Sequence, residues 1–276
     1  MTRKPQPIRE HEARPQEAAA FARHDGRSPK QARPFKIERG VMSHAEGSAM
    51  VHMGRTRVLV TASIEERVPA WLRNSGKGWV TAEYAMLPRA TGTRTPRTSQ
   101  TGGRAQEIQR LIGRSLRAVT DLTAFGERTI TVDCDVIEAD GGTRTASING
   151  ALVALHDAFV TLSNRNDLRH APLRDAVGAI SVGMVKGVAC LDLDYVEDSS
   201  AEVDMNIVMT GAGRFVEVQG TGEGATFSDA DMREMMRVAR SGLRRIFAAQ
   251  HRLLGGSGLL PEPGAAAQAR PEAAKR

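Results

Sequence analysis

Residues 133–147 read Asp-Cys-Asp-Val-Ile-Glu-Ala-Asp-Gly-Gly-Thr-Arg-Thr-Ala-Ser. The first half alternates acidic and apolar side chains, the pattern of a β-strand with one buried face. The two glycines let the backbone approach an anion closely, and a helix beginning after them would offer free N–H groups and a positive dipole end. The run therefore predicts a strand followed by a phosphate-binding site, which Gly142, Thr143 and Arg144 would form. The alternative is an ordinary loop with a capping threonine and a surface arginine, because short glycine motifs are common.

A second glycine pair, Gly102-Gly103, precedes Arg104 and another predicted helix. That helix is expected over residues 104–118, because the apolar residues recur there at helical spacing. If the two helix starts converge, each contributes an arginine, whose forked donors match phosphate oxygens. Convergence would favour the phosphate pocket over the ordinary loop.

The chain has 276 residues and a net charge of +6, carried mostly by its ends. Residues 1–34 hold eight Lys or Arg and four Asp or Glu without sustained periodicity, and we expect a disordered basic extension. Residues 255–276 are rich in Gly, Pro and Ala and are expected to form a flexible tail. One folded domain is predicted between them, over residues 35–254. No apolar run has membrane-spanning length, so no membrane contact is expected.

Two cysteines, Cys134 and Cys190, lie in strand-like apolar surroundings and predict free thiols in a reducing compartment. The N-terminus also lacks the apolar core of a secretory signal. Both observations favour a cytoplasmic location.

The order of predicted elements is strands, helix, strand, helix, strands, helix. This order predicts an α+β fold, with helices on one face of a mixed sheet. A strand pair turns at Gly54-Arg55, and a second hairpin over 177–195 turns at Lys186-Gly187. A helix is expected to begin near Thr145, with one apolar face, and a final long helix follows the capping box of Ser228 and Asp231.

Two carboxylates further along, Asp198 and Asp204, form a candidate acidic pair. Within 203–209 the apolar side chains share one face, so Asp204 points to the other. Carboxylates on one side of a sheet can bind Mg²⁺ through their oxygens. A solvated acidic edge that discourages strand pairing is the alternative. The residues leave both interpretations open for this pair, and favour the solvated edge for Asp192, Asp194, Glu197 and Glu202.

The loop preceding the first predicted helix is rich in arginine and free of acids over residues 84–106. Arg89, Arg94 and Arg97 lie in it, and the functional interpretation is a track for the phosphodiester backbone of a nucleic acid. A solubilising flexible loop is an equal alternative from these residues alone.

Several motifs together resemble the ribonuclease PH family. They occur in the family's order and cover about residues 28–253: Lys30–Pro34, His44–Ser48, Gly103–Arg114, Asp133–Ser147, Tyr195–Ser199 and Glu217–Thr221. The resemblance implies a single ribonuclease PH domain with a ribosomal protein S5 domain 2-like fold. It also implies a phosphate-dependent 3′→5′ exoribonuclease (a tRNA nucleotidyltransferase) that trims tRNA precursors and releases nucleoside diphosphates. In reverse, such an enzyme adds nucleotides.

The same resemblance assigns roles to individual residues. Arg104, Gly142, Thr143 and Arg144 would bind inorganic phosphate, the co-substrate. Asp198 and Asp204 would be catalytic and would hold Mg²⁺. The arginine loop would guide tRNA precursors and other 3′-tailed RNA, and the chain would form a homo-hexamer, a trimer of dimers. Two alternatives remain. One is a non-catalytic RNA-binding subunit of a degradation ring, and the other is a metal-dependent hydrolase.

Overall fold

The computed structural model describes residues 21–97 and 102–262. Within them lie nine strands, four α-helices and a 3₁₀ turn at Ala70–Leu72. The strands are β1 (Phe35–Arg39), β2 (Gly47–Met53), β3 (Thr56–Glu65), β4 (Trp79–Met86), β5 (Thr129–Glu138), β6 (Val177–Val185), β7 (Val188–Leu191), β8 (Val203–Thr210) and β9 (Phe215–Thr221). The helices are α1 (Gly103–Ala118), α2 (Thr143–Asn164), α3 (Tyr195–Asp198) and α4 (Asp229–Leu254).

The strands form two sheets rather than the single mixed sheet that the element order suggested. The first has five strands in the order β1-β2-β3-β5-β4, and only β4 and β5 run parallel. The second is antiparallel, with four strands in the order β7-β6-β8-β9. The α+β class with packed helices is confirmed, and of the two sheets only the first is mixed. Among the described residues, no helix combines the length and the apolar character that crossing a membrane requires.

Helix α2 lies between the two sheets, in contact with β2 and β3 of the first and with β6 of the second. Packing from both sides buries every residue from Thr145 to His156, so burial extends beyond the single apolar face that the sequence predicts for this helix. Glycines allow the close approach: a Cβ on Gly47 would lie 1.9 Å from the carbonyl oxygen of Ala154, and one on Gly150 2.4 Å from Val51.

Helix α4 covers the outer face of the second sheet with an amphipathic stripe. Its start is capped as predicted, because the Ser228 hydroxyl accepts from the Asp231 amide and the Asp231 carboxylate accepts from Ser228 N. The alternating side chains of β8 sort the two faces of the sheet. Met205 and Ile207 pack in the core against α4, and Asp204 faces the other way.

Both ends of the predicted domain need correction. Residues 21–34 are not an extension in the structure, because Arg23, Arg27 and Arg33 are buried at 3%, 9% and 7% exposure. At the other end Leu259 and Leu260 are buried against the core. The rest of the predicted extension and tail, residues 1–20 and 263–276, lies outside the described residues. The predicted strand over 188–195 ends at Leu191, because the chain turns there into α3.

Candidate active site

The loop between β5 and α2 is held by hydrogen bonds at Asp140 and Gly141. Gly141 and Gly142 have φ of 73° and 68°, the left-handed region that side chains disfavour. The Thr56 hydroxyl donates to the carbonyl of Gly141 at 2.7 Å and accepts from the amide of Asp140 at 2.9 Å. No side chain caps the helix that follows, at Gly142. The first N–H groups of α2 therefore remain available to an anion.

Thr143, the first residue of α2, is oriented by a tyrosine. Tyr84 Oη donates to Thr143 Oγ1 at 2.8 Å from the edge strand β4. Burial raises the pKa of Tyr84, so the phenol stays protonated and remains a donor. Because the tyrosine fills an acceptor position of the threonine, the Thr143 hydrogen is left for another partner.

Arg144 is held from the side of β9. Its Nη1 donates to Gln219 Oε1 at 2.5 Å and lies 3.5 Å from Glu107 Oε1 on α1. The Gln219 amide in turn donates to Glu107 Oε1 at 2.8 Å. The Arg144 side chain is only 13% exposed, and these contacts hold it in place beside α2.

Asp198 lies close enough to Asp204 to affect the ionisation of Asp204. The pKa of Asp204 is raised to about 6, chiefly by burial and then by the charge of Asp198, against the opposing charges of Arg144 and Arg104. Burial also raises the pKa of Asp198, against the same two arginines. Arg104 is exposed in the first turn of α1. The structure thus brings together four predicted site residues, from α1, α2, α3 and β8.

The environment of Asp204 suits a cation. Its Oδ1 is buried without a hydrogen-bond partner among the described residues, and its Oδ2 accepts only a 3.3 Å bond from Asn206. Two carboxylates whose charged forms are disfavoured, one with a free buried oxygen, match the oxygen ligands that Mg²⁺ prefers. A cation between them would relieve the burial cost of both charges.

The arginine loop starts beside this site. The Ala139 amide donates to the carbonyl of Ala90 at 2.8 Å, which ties the loop to the residue before the Asp140–Gly142 turn. Arg89 Nη1 donates to the carbonyl of Gly92 at 3.1 Å. The side chains of Arg89, Arg94 and Arg97 are exposed, and residues 98–101 of the loop are outside the described part.

Three acids that the sequence placed at a solvated edge are instead buried in ion pairs. Asp192, Asp194 and Glu197 are 1%, 4% and 3% exposed and contact the buried arginines of residues 23–33. The interpretation as a solvated edge was wrong because these partners lie more than 150 residues away in sequence. Complementary charge is the sequence feature that could have predicted these ion pairs. The start of the chain is rich in arginine, and residues 187–213 contain acids but no Lys or Arg.

His24, Asp194 and Glu197 could geometrically hold a metal ion, but arginines already occupy them. Arg27 Nη2 lies 3.2 Å from Asp194 Oδ2 and 3.3 Å from Glu197 Oε2. A guanidinium at hydrogen-bond distance from both carboxylates takes the position of a cation. We therefore assign this cluster to ion pairing.

Two family models match most of the chain, and both describe 3′ exoribonucleases. The model of the 3′ exoribonuclease family, domain 1, matches residues 31–161, and that of domain 2 matches residues 175–242. The fold agrees: the structure of rice (Oryza sativa) Rrp46 has a TM-score of 0.69 at 23% identity and covers 84% of this chain and 100% of its own. An Archaeoglobus fulgidus exosome with RNA bound to the active site has a TM-score of 0.70 at 22% identity, covering 83% and 92%.

Two relatives of higher sequence identity are both ribonuclease PH proteins. Ribonuclease PH of Methylobacterium radiotolerans is 60% identical over 227 residues, which cover 81% of this chain and 96% of the relative. Ribonuclease PH of Methylobacterium nodulans is 56% identical over 232 residues, covering 83% and 98%. The chain belongs to the ribonuclease PH family.

Proposed function

We propose that the protein trims the 3′ ends of tRNA precursors by phosphorolysis, as a phosphate-dependent 3′→5′ exoribonuclease. The observation that carries the proposal is that Arg104 and Arg144 both act on the ionisation of Asp198 and Asp204. Two cations beside an acidic pair suit a reaction in which one anion must attack another. A hydrolytic nuclease has less use for the phosphate pocket, and a non-catalytic ring subunit has less reason to keep either pair.

Inorganic phosphate is bound, in this proposal, by Arg104, Arg144, the Thr143 hydroxyl and the backbone N–H groups that follow Gly142. These donors neutralise part of the charge of the attacking oxygen and hold it in line with the terminal phosphodiester. The phosphate oxygen forms a bond to the phosphorus as the bond to the 3′ oxygen of the preceding nucleotide breaks. The products are a nucleoside diphosphate and an RNA shortened by one nucleotide with a free 3′ hydroxyl. The same donors serve the reverse reaction, which adds a nucleotide.

Asp198 and Asp204 are proposed to hold Mg²⁺, and the unpartnered Oδ1 of Asp204 supports this assignment. When bound, the ion supplies charge neutralisation at the oxygens around the reacting phosphorus. Arg89, Arg94 and Arg97 are proposed to contact the RNA backbone upstream of the cleaved bond. Their exposure and the attachment of their loop beside Ala139 support that role.

Assembly as a homo-hexamer, a trimer of dimers, is the proposed quaternary state. Several large apolar side chains are exposed on the single chain, including Trp71 at 66%, Tyr195 at 63% and Val196 at 53%, and self-association would cover such surface. Multi-angle light scattering tests it, with six chain masses expected and a monomer contradicting it. The buried free thiols of Cys134 and Cys190 support a cytoplasmic location.

The function is tested by incubating the protein with a short 3′-tailed RNA and Mg²⁺, with and without phosphate. We expect shortening only with phosphate, and nucleoside diphosphates as the products. Nucleoside monophosphates, or equal shortening without phosphate, would identify a hydrolase, and the absence of shortening would favour the ring subunit.

A further inference from the structure

Helix α3, which carries Asp198, is too short to hold its own position. It contains four residues, and few backbone bonds hold it, from Asp198 N to Asp194 O, from Ser199 N to Tyr195 O and from Ser200 N to Glu197 O. Helices of one turn do not persist by themselves, because nucleation costs more than so few bonds return. The position of Asp198 must therefore be set by groups outside the helix.

Two carboxylates cap α3 at its start. Asp194 Oδ1 accepts from the amides of Val196 and Glu197, each at 3.1 Å. Glu197 Oε2 accepts a hydrogen bond from the Asp194 amide at 3.3 Å, which completes a capping box. Both carboxylates are buried, so their charge must be balanced within the protein.

Arg23 and Arg27 provide that balance. Arg23 binds Glu197 with both arms of its fork, Nε to Oε1 at 2.6 Å and Nη2 to Oε2. Arg27 Nη2 lies 3.2 Å from Asp194 Oδ2 and 3.3 Å from Glu197 Oε2. Each capping carboxylate is thus bound on its free side by an arginine from a segment about 170 residues earlier in the chain.

The same arginines also hold the backbone that leads into α3. Arg23 Nη1 donates to the carbonyl of Leu191 at 2.7 Å, and its Nη2 donates to that of Asp192 at 3.0 Å. Arg27 Nη1 donates to the Asp192 carbonyl at 2.9 Å. Both the entry to the helix and its first turn are therefore fixed to residues 23–27.

Buried ion pairs of this kind are weak evidence for stability, because desolvation offsets most of the attraction. Their forked geometry fixes position instead. What they fix here is next to the reaction: Asp198 follows Glu197 directly, and the loop before α3 touches the phosphate loop. A Cβ on Gly141 would lie 2.7 Å from the carbonyl oxygen of Leu193.

We propose that Arg23 and Arg27 are positioning residues of the active site, which fix α3 and thereby set where Asp198 lies relative to Arg104 and Arg144. This inference rests on the phosphorolytic function proposed above. It gives residues 21–33 a role in turnover rather than in binding of RNA or phosphate.

The variant Arg23→Met tests the inference, because methionine keeps the apolar stem and removes the fork. With saturating phosphate and a short 3′-tailed RNA, kcat is expected to fall about tenfold to a hundredfold, the usual result of displacing a reacting group by about an ångström. The KM for phosphate and the Kd for RNA stay those of the wild type, since the residues that bind both are untouched. Arg23→Lys, which keeps the charge without the fork, recovers part of kcat.

Arg39 offers a matched control, since it also binds a carboxylate with a fork and a backbone carbonyl. Its Nε lies 3.0 Å from Asp157 Oδ2 and its Nη1 2.7 Å from the carbonyl oxygen of Leu253, without contact to α3. Arg39→Met should leave kcat unchanged in protein that circular dichroism shows to be folded.

A wild-type kcat in folded Arg23→Met would overturn the inference, and so would a loss confined to the KM for phosphate. If Arg23→Met does not fold, Arg23→Lys is judged by the same two criteria. Wild-type protein that fails to release nucleoside diphosphates would contradict the proposed function itself, so the two failures are distinguishable.

Discussion

Tyr84 donates a hydrogen bond to the hydroxyl of Thr143, with 2.8 Å between the oxygens, and so links the edge strand β4 to the first residue of α2. The link leaves the Thr143 hydrogen free to point at a bound phosphate. Tyr84→Phe removes the link and little else, because the ring remains. We expect the KM for phosphate to rise about fivefold, the equivalent of one hydrogen bond of about 1 kcal/mol. The chain has one other tyrosine, Tyr195, which is exposed, and Tyr195→Phe serves as the control in steady-state kinetics.

Arg144→Ala is expected to act on phosphate rather than on RNA. The lost contact is a charge-assisted hydrogen bond, so the KM for phosphate should rise about tenfold to a hundredfold. RNA binding, measured by fluorescence anisotropy without phosphate, should stay at the wild-type value. Arg233→Ala, an exposed α4 arginine paired with Asp229, should change neither quantity. Equal losses in both would mean that Arg144 contacts RNA.

Asp204→Asn should abolish turnover and stabilise the fold. The pKa of Asp204 is raised from 3.8 to about 6, so the folded protein binds more protons than the unfolded chain between these values. The free energy of unfolding therefore falls as pH rises through that window, by at most about 3 kcal/mol. Asparagine does not ionise, so the variant does not undergo this loss. In metal-free buffer at pH 8, differential scanning calorimetry should give a higher Tm for the variant, and the difference should vanish below pH 4.

A matched carboxylate far from the site separates this effect from a general one. Glu66 is exposed and paired with Arg128, and Glu66→Gln should keep full activity without the gain in Tm. An active Asp204→Asn would remove this carboxylate from the mechanism. A Tm below that of the wild type at pH 8 would contradict the burial argument.

If the arginine loop contacts the RNA backbone, it should contribute to the salt dependence of RNA affinity. If Arg89, Arg94 and Arg97 each contact one phosphate of a single strand, each replacement by Ala should reduce the slope of log K against log salt by about 0.7. The KM for phosphate should not change, because the phosphate donors lie on other elements. An unchanged slope in the triple variant would favour a loop that only solubilises the protein.

The regular elements could be predicted from sequence because their patterns are local. Helix α1 shows its apolar stripe, and α4 shows its cap and its stripe. The Gly-Gly-Thr-Arg run indicated the start of α2 to within two residues of Thr143. These features depend on neighbours within a turn or a strand, which a single sequence displays.

The missed features depend on distant partners. Arginines in a polar segment suggest a mobile extension, yet Arg23 is buried because Glu197 lies beside it in the fold. Likewise α2 is buried on all sides over residues 145–156 because two sheets enclose it, which no periodicity within the helix could reveal. The supporting bond from Tyr84 to Thr143 joins positions 59 residues apart and has no local signal.

Isotopically labelled inorganic phosphate, incubated with the protein and a short 3′-tailed RNA, shows whether phosphate itself attacks the RNA. Phosphorolysis places the label in the β-phosphate of each released nucleoside diphosphate, because the attacking phosphate becomes that group. Mass spectrometry of the products should find the label there, in one-to-one ratio with nucleotides removed. Unlabelled nucleoside monophosphates as the product would contradict phosphorolysis and identify hydrolysis instead.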